Sequence, residues 1–168
     1  MSTWQAPAAA GGVPALYAAL ARSYAALVEG ERDFIANAAN LAALVYHGLP
    51  ELNWAGCYLL RGADLVLGPF QGKPACVRIG PGRGVCGAAA ARRTALIVPD
   101  VQAFPDHIAC DPDSRSELVV PVLAPGGRLL GVFDLDSPRP ARFDAADRNG
   151  IQELVARWVA ASEPPPGP

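Results

Sequence analysis

The sequence lacks the features that mark nucleic-acid-binding, membrane and secreted proteins. Its 14 basic and 16 acidic residues are spread along 168 residues. No basic run could follow a phosphate backbone, and no polybasic patch suits a membrane surface. No apolar stretch reaches the roughly 18 residues that a membrane span needs, and the N-terminus does not read as a signal peptide. We therefore expect a cytoplasmic protein with no nucleic-acid partner and no membrane partner.

Cysteine is scarce, and its spacing does not indicate a metal site. The four cysteines are Cys57, Cys76, Cys86 and Cys110. Intervals of 19, 10 and 24 residues separate them, so the chain has no Cys-x-x-Cys pair, and His107-x-x-Cys110 is weak evidence alone. A permanent disulfide framework is not expected in a reducing compartment. Buried filler and redox chemistry remain as alternatives, and we predict no metal.

One glycine-rich segment has the letters of a dinucleotide-binding fingerprint without its context. Gly82, Gly84 and Gly87 have the spacing of that motif. The long helix and the second parallel strand that such a loop requires do not follow. We expect instead a short helix from Gly84 to Arg93, and we predict no cofactor.

The order of elements predicts one α+β domain. Apolar residues at helical spacing predict a helix beginning at Pro14, a second that has Phe34, Ala38, Leu41 and Val45 on its apolar face and ends near 48–50, and a last one capped by Asp144. About six short strands lie between them, interrupted by the small helix and a long loop, which favours a central antiparallel sheet. We place a single domain at 14–161, between a loose segment at 1–13 and a Pro-rich tail at 162–168.

The first strands are predicted to separate two aromatic side chains from a cysteine. Over 54–60, period-two geometry places Trp54 and Tyr58 on one face and Cys57 on the other. The two aromatics are core residues by default, but on a pocket wall they would hold a methyl or thioether group. A strand at 65–67, a loop at 68–74 and a strand at 75–79 that carries Cys76 are predicted next.

Three carboxylates are predicted to lie near the ends of two paired strands. The two strands are predicted over 117–123 and 128–136 and form a hairpin. Asp134 and Asp136 share one face of the strand at 128–136, and Glu117 lies where the long loop enters the strand at 117–123. Isolated acids at a strand end are usually solvated. Gathered in one pocket, however, they could bind the ammonium group of a small ligand and raise one another's pKa. A carboxylic acid kept protonated near neutral pH can act as a general acid.

The four cysteines fall into two groups according to their predicted surroundings. Cys57 is predicted to be a small buried hydrophobe. Cys76, Cys86 and Cys110 each lie beside a turn or loop, which suits thiols that must be reached, and they could form a nucleophile and resolving pair. Nearby acids raise the pKa of the Cys110 thiol, so its attack would need protonation of the group being attacked.

Together these segments resemble the free methionine-(R)-sulfoxide reductases, which are built on a GAF domain. The resemblance runs from about Tyr24 to Val159, with the motifs in family order. Its motifs are NWAGCY at 53–58, GPFQGK at 68–73, ACVRI at 75–79, GRGVCG at 82–87, HIACD at 107–111, SE at 116–117 and DLDS at 134–137. Cys57 departs from the family pattern, where a bulkier apolar residue is expected.

The resemblance implies a GAF fold, reduction of free L-methionine-(R)-sulfoxide and a role for each motif residue. It implies that Cys110 is the attacking thiolate, Cys76 the principal resolving cysteine and Cys86 an auxiliary thiol. It also implies substrate-binding roles for Glu117, Asp134, Asp136, Trp54 and Tyr58. A thioredoxin-type reductant and a homodimer are expected by the same resemblance. The alternative is a GAF domain that senses a small ligand or redox state without turnover.

Overall fold

The fold is a six-stranded antiparallel sheet with helices on both faces. A computed structural model describes residues 11–106 and 111–166. In this part of the chain the strand order is β3-β2-β1-β6-β5-β4, with every neighbouring pair antiparallel. The strands are β1 Trp54–Arg61, β2 Asp64–Gly72, β3 Arg78–Ile79, β4 Leu96–Val98, β5 Ser116–Leu123 and β6 Leu129–Ser137. The prediction of an α+β sheet of about six strands is confirmed.

Three of the four helices found within the described residues cover one face of the sheet. They are α1 Gly12–Leu27, α2 Phe34–Gly48 and α4 Ala145–Ala161, while α3 Gly84–Arg92 lies on the other face. Asp33 accepts a hydrogen bond from Ala36 N at the start of α2, and Asp144 caps α4 as predicted. Among the described residues, none of these helices has both the length and the apolar character needed to cross a bilayer.

The core on the three-helix face follows from the alternation of the central strands. Cys57, Leu118, Phe133 and Leu135 point to this face and are fully buried beneath the helices. Trp158 of α4 stacks on Phe34, and its indole N–H donates to the Phe34 carbonyl oxygen at 2.9 Å. The C-terminal end adds to this side, since Glu163 N donates to the Arg32 carbonyl oxygen at 2.8 Å.

Two predicted boundaries near the site are wrong. The loop expected at 68–74 is mostly strand, because β2 continues to Gly72 along β1. Gly68 and Pro69 lie together opposite Cys57 at a β-bulge, where the missing proline N–H is tolerated. The strand expected at 75–79 is reduced to Arg78–Ile79, so Cys76 belongs to an irregular loop. Pro74 favours that outcome, since proline cannot donate to a strand ladder.

Candidate active site

The strand register brings the three predicted carboxylates onto one face of the sheet. Glu117 of β5 pairs with Asp136 of β6, and Asp134 lies two residues along β6 on the same side. Both β6 acids also face β1, where Asp134 pairs with Gly56 and Asp136 with Trp54. The acids therefore form one cluster on the face covered by α3.

An aromatic wall stands beside the acids. Trp54 stacks on Tyr58 with centroids 5.8 Å apart and on Phe70 at 5.4 Å. Gly56 makes this packing possible, because a Cβ atom at that position would collide with Phe70 and Trp54. The indole N–H of Trp54 donates to the Lys73 carbonyl oxygen at 3.2 Å, which holds the following loop over the wall. The wall and the acids form two sides of one pocket.

Cys86 completes the acid cluster from the other side. It lies in the first turn of α3, is 4% exposed, and its thiol lies 3.9 Å from Glu117 Oε1. One candidate ligand atom each from Cys86, Glu117 and Asp134 lies within 4.8 Å of the others, so these buried groups are the described set that could hold a metal ion. Burial and the negative charge of the acids raise the pKa of the Cys86 thiol well above its usual value.

Burial and crowding favour the protonated forms of the acids. Burial, with the charges of Asp134 and Asp136, raises the pKa of Glu117 well above its usual range. Burial raises the pKa of Asp134 to about 7, and burial with the Asp134 charge also raises the pKa of Asp136. Asp134 Oδ1 is buried and has no hydrogen-bond partner within the described residues. The cluster can therefore bind a cation or release a proton near neutral pH.

A polar network joins the two loops at the pocket mouth. Lys73 Nζ lies 2.6 Å from Asp113 Oδ2 and 3.3 Å from Asp111 Oδ1. Asn53 Nδ2 donates to Asp111 Oδ2 at 3.1 Å and to Ser114 Oγ at 3.0 Å. The pKa of Asp111 is lowered by the Asp113 backbone N–H and by the Asn53 and Lys73 side chains, so Asp111 carries a full charge there.

The cysteines occupy different environments. Cys76 is half-buried in the loop between β2 and β3 and is disulfide-bonded. Cys57 and Cys86 are buried free thiols on opposite faces of the sheet. Burial raises the pKa of Cys57 to about 12, as suits the filler role predicted for it. Cys110 and its neighbour His107 lie outside the described residues, so their predicted places rest on the sequence.

The pocket encloses a cavity of about 40 Å³, with space for only a few water molecules at its floor. Six of the eight predicted site residues line it: Trp54, Tyr58, Cys86, Glu117, Asp134 and Asp136. Sequence reasoning gave no role to other lining residues, among them Lys73, Arg83, Asp111 and Ser114. Lys73, Arg83 and Asp111 all fall inside the motifs quoted above, so motif membership was the signal that could have found them.

Comparison with known families places the chain among proteins of this fold. A sequence profile of the GAF domain matches residues 16–162. Protein YtsP of Bacillus subtilis is 54% identical over 141 residues, which are 83% of this chain and 86% of that protein. The free methionine-R-sulfoxide reductase of Escherichia coli is 50% identical, over 84% of this chain and 85% of that protein.

A solved structure agrees with these sequences. The free methionine-R-sulfoxide reductase of Neisseria meningitidis, solved by X-ray in complex with its substrate, superposes with a TM-score of 0.89 at 41% identity. The superposition covers 96% of this chain and 95% of that one. The similarity thus extends over nearly the whole length of both chains.

Proposed function

The chain belongs to the free methionine-R-sulfoxide reductases, a family built on the GAF domain, and from this premise we propose that it reduces free L-methionine-(R)-sulfoxide to L-methionine. The observation that carries the proposal is the cluster of Glu117, Asp134 and Asp136, buried beside an aromatic wall. A cationic group and a thioether-like side chain would both find partners there. A disulfide-bonded cysteine in the loop over the same pocket supplies redox chemistry.

The acids are proposed to bind the substrate ammonium and to protonate the sulfoxide oxygen. The raised pKa values of the three carboxyls favour their protonated forms. A protonated carboxyl can donate to the sulfoxide oxygen, while an ionised one accepts from the ammonium. Trp54 and Tyr58, which form part of the aromatic wall, are proposed to contact the methyl group of the substrate.

Cys110 is proposed as the nucleophile. Its sulfur attacks the sulfoxide sulfur as the sulfoxide oxygen is protonated, and the S–O bond of the substrate breaks. The oxygen passes to Cys110 as a sulfenic acid, and methionine leaves with two electrons more than the sulfoxide. The acids that flank Cys110 in the sequence are expected to make its thiol a weaker nucleophile. Protonation of the sulfoxide oxygen compensates for this, because it makes the attacked sulfur more electrophilic.

Cys76 is proposed to resolve the sulfenic acid. Its thiol attacks the Cys110 sulfur, water leaves and a disulfide forms. The disulfide-bonded state of Cys76 and the free thiols of Cys57 and Cys86 support this division of roles. Cys86 is proposed as an auxiliary thiol, since its raised pKa keeps it protonated and a poor nucleophile at neutral pH.

The cycle is completed by an external dithiol. A thioredoxin-type reductant would open the disulfide by thiol exchange, which returns Cys76 and Cys110 to thiols and oxidises the donor. This requirement favours a reducing compartment, and we propose the cytoplasm. A homodimer stays a prediction from the family resemblance, which size-exclusion chromatography with light scattering would check.

Turnover resolved by sulfoxide epimer tests the activity. Purified protein with dithiothreitol is expected to consume the R epimer of free methionine sulfoxide and to leave the S epimer. Without dithiothreitol, Cys76→Ala is expected to complete one turnover and then to stall with Cys110 as a sulfenic acid that dimedone labels. If neither epimer is consumed while methionine still binds to the protein, the chain is a sensor and the proposal fails.

A further inference from the structure

The disulfide of Cys76 has to be opened by another molecule before the protein can act again. Thiol exchange requires that a thiolate reach one of the two sulfurs, so a protein reductant must contact the residues around the disulfide. A small dithiol such as dithiothreitol needs no such contact surface. The place where a protein reductant docks is a question that rests on the proposed function, but it does not depend on how the pocket holds its substrate.

Val77, the residue after Cys76, is an exposed apolar side chain. It is 65% exposed, whereas the other exposed large apolar side chains among the described residues, Val13, Leu27 and Ile35, are 38–44% exposed. Those three belong to α1 and α2, on the three-helix side of the sheet. Single apolar residues on a surface are common and need no explanation by themselves. Val77 differs from the other three because it adjoins a disulfide-bonded cysteine.

The backbone around Val77 is attached to the sheet. The Val77 carbonyl oxygen accepts a hydrogen bond from Leu67 N at 3.0 Å, and the two residues that follow form β3 and pair with β2. Val77 is therefore presented to solvent by a backbone that the sheet holds in place. A partner that contacts it loses little conformational entropy in ordering the segment. Adjacent Cα atoms are about 3.8 Å apart, so a protein that reaches the Cys76 sulfur also covers Val77.

The sheet ends at this segment, and the charges beside it are compensated. In the described part of the chain β3 is an edge strand, and an open edge can accept an extended segment of a partner. The cations on either side of the segment are ion-paired: Lys73 with Asp111 and Asp113, and Arg78 with Asp64 at 3.6 Å. The surface therefore has an apolar centre and a polar rim, which is the arrangement typical of protein–protein interfaces.

We propose that the edge segment at 74–78, centred on Val77, is the docking surface for the protein dithiol that reduces the disulfide. Every residue of this segment is exposed or half-exposed. The partner is a thioredoxin-class protein with an apolar surface around its thiolate. That thiolate attacks one sulfur of the Cys76 disulfide, the S–S bond breaks and the other sulfur leaves as a thiolate. The second thiol of the partner then attacks the mixed disulfide, which leaves two thiols on this chain and a disulfide on the partner.

Two reductants of different size test the docking surface. Protein oxidised in advance and kept without substrate is treated with a thioredoxin or with dithiothreitol, and the release of the Cys76 thiol is followed by alkylation and mass spectrometry. Val77→Asp is expected to lower the second-order rate constant for the thioredoxin about tenfold, because it places a charge at the centre of an apolar contact. The rate constant for dithiothreitol should stay within about twofold of wild type, because a small thiol does not use the surface.

Ile35→Asp is the matched control, since Ile35 is an exposed apolar residue of α2 on the three-helix side. It is expected to leave both rate constants unaffected. The assignment is overturned by an unchanged thioredoxin rate in Val77→Asp, by an equal loss with both reductants, or by a matching loss in Ile35→Asp. A wild-type disulfide that the thioredoxin leaves intact overturns it as well. Because no sulfoxide is present, these outcomes are separate from a failure to reduce the R epimer, which would refute the proposed function.

Discussion

The two faces of the sheet use the same strands for opposite purposes. On the face beneath α1, α2 and α4, the strands contribute apolar side chains that are closed off from solvent. On the face beneath α3, the same strands place three carboxylates beside aromatic and aliphatic side chains around a small cavity. Leu135 stands between Asp134 and Asp136 and points the other way. The difference shows that one strand can supply stability and chemistry at once, one residue apart.

Two buried thiols of the described residues show the same contrast between the faces. Cys57 and Cys86 are both buried, yet Cys57 is surrounded by the three-helix core and Cys86 by acids. Cys57 donates weakly to the Pro69 carbonyl oxygen at 3.6 Å, at the bulge of β2. Burial alone therefore does not identify a functional thiol, whereas its neighbours do.

The largest expected effect separates a proposed nucleophile from a core thiol. Cys110→Ser removes the sulfur that accepts the sulfoxide oxygen, so kcat/KM should fall by at least about 1,000-fold. Cys57→Ser keeps the pocket face intact and should leave kcat/KM within about twofold. Steady-state rates on the R epimer measure both variants. Comparable losses of kcat/KM in Cys110→Ser and Cys57→Ser would contradict the distinction between the proposed nucleophile and the core thiol.

The next effect concerns stability on the three-helix face. Leu135→Ala leaves a cavity among fully buried side chains and should lower the free energy of unfolding by about 2–5 kcal/mol. Its kcat per folded molecule should stay within a few fold, because Leu135 does not line the pocket. Urea denaturation and active-site titration measure the two quantities. Lost kcat without lost stability would contradict the account.

A smaller effect is expected when one acid is neutralised on the other face. Glu117→Gln keeps the shape of the side chain and removes its proton chemistry, so kcat/KM should fall about 30-fold. Asp113→Asn is the control, since Asp113 is an exposed acid at the pocket mouth. It should change kcat/KM by no more than about threefold. An equal loss for both would mean that general negative charge, rather than the buried cluster, matters.

The smallest effect is a pH dependence of stability. Burial raises the pKa of Asp134 to about 7 from an unfolded value near 3.8, so the native state holds a proton that the unfolded state releases. The contribution of Asp134 to the free energy of unfolding is therefore most favourable below about pH 4, and this favourable contribution is lost as the pH rises through 7. Asp134→Asn should be more stable than wild type at pH 8, with the difference shrinking toward pH 4. Thermal denaturation across this range measures it, and a constant difference would count against the raised pKa.

Features that depend on the periodicity of residues within one element could be predicted from the sequence. Features that depend on the pairing between strands could not. Helix α4 and its cap at Asp144, the split between Cys57 and Trp54, and the common face of Asp134 and Asp136 all follow from local spacing. The extension of β2 to Gly72 did not, because a bulge opposite Cys57 accommodates Gly68 and Pro69 and no local signal encodes it.

Motif membership could mark residues at the polar mouth of the pocket, but the sequence could not predict their contacts. Asn53, Lys73 and Asp111 come from three separate segments, and only the fold brings their side chains within hydrogen-bond distance. Such contacts are properties of a neighbourhood rather than of a spacing.

The proposed pairing of Cys76 with Cys110 in a catalytic disulfide has a direct test. Fully reduced protein is given one equivalent of the R epimer without a reductant, the remaining thiols are alkylated after unfolding, and the peptides are mapped by mass spectrometry. One methionine per chain should be released, with Cys76 and Cys110 joined in a disulfide and Cys57 and Cys86 alkylated. Methionine release with a disulfide at Cys57, or with all four thiols alkylated, would contradict the account.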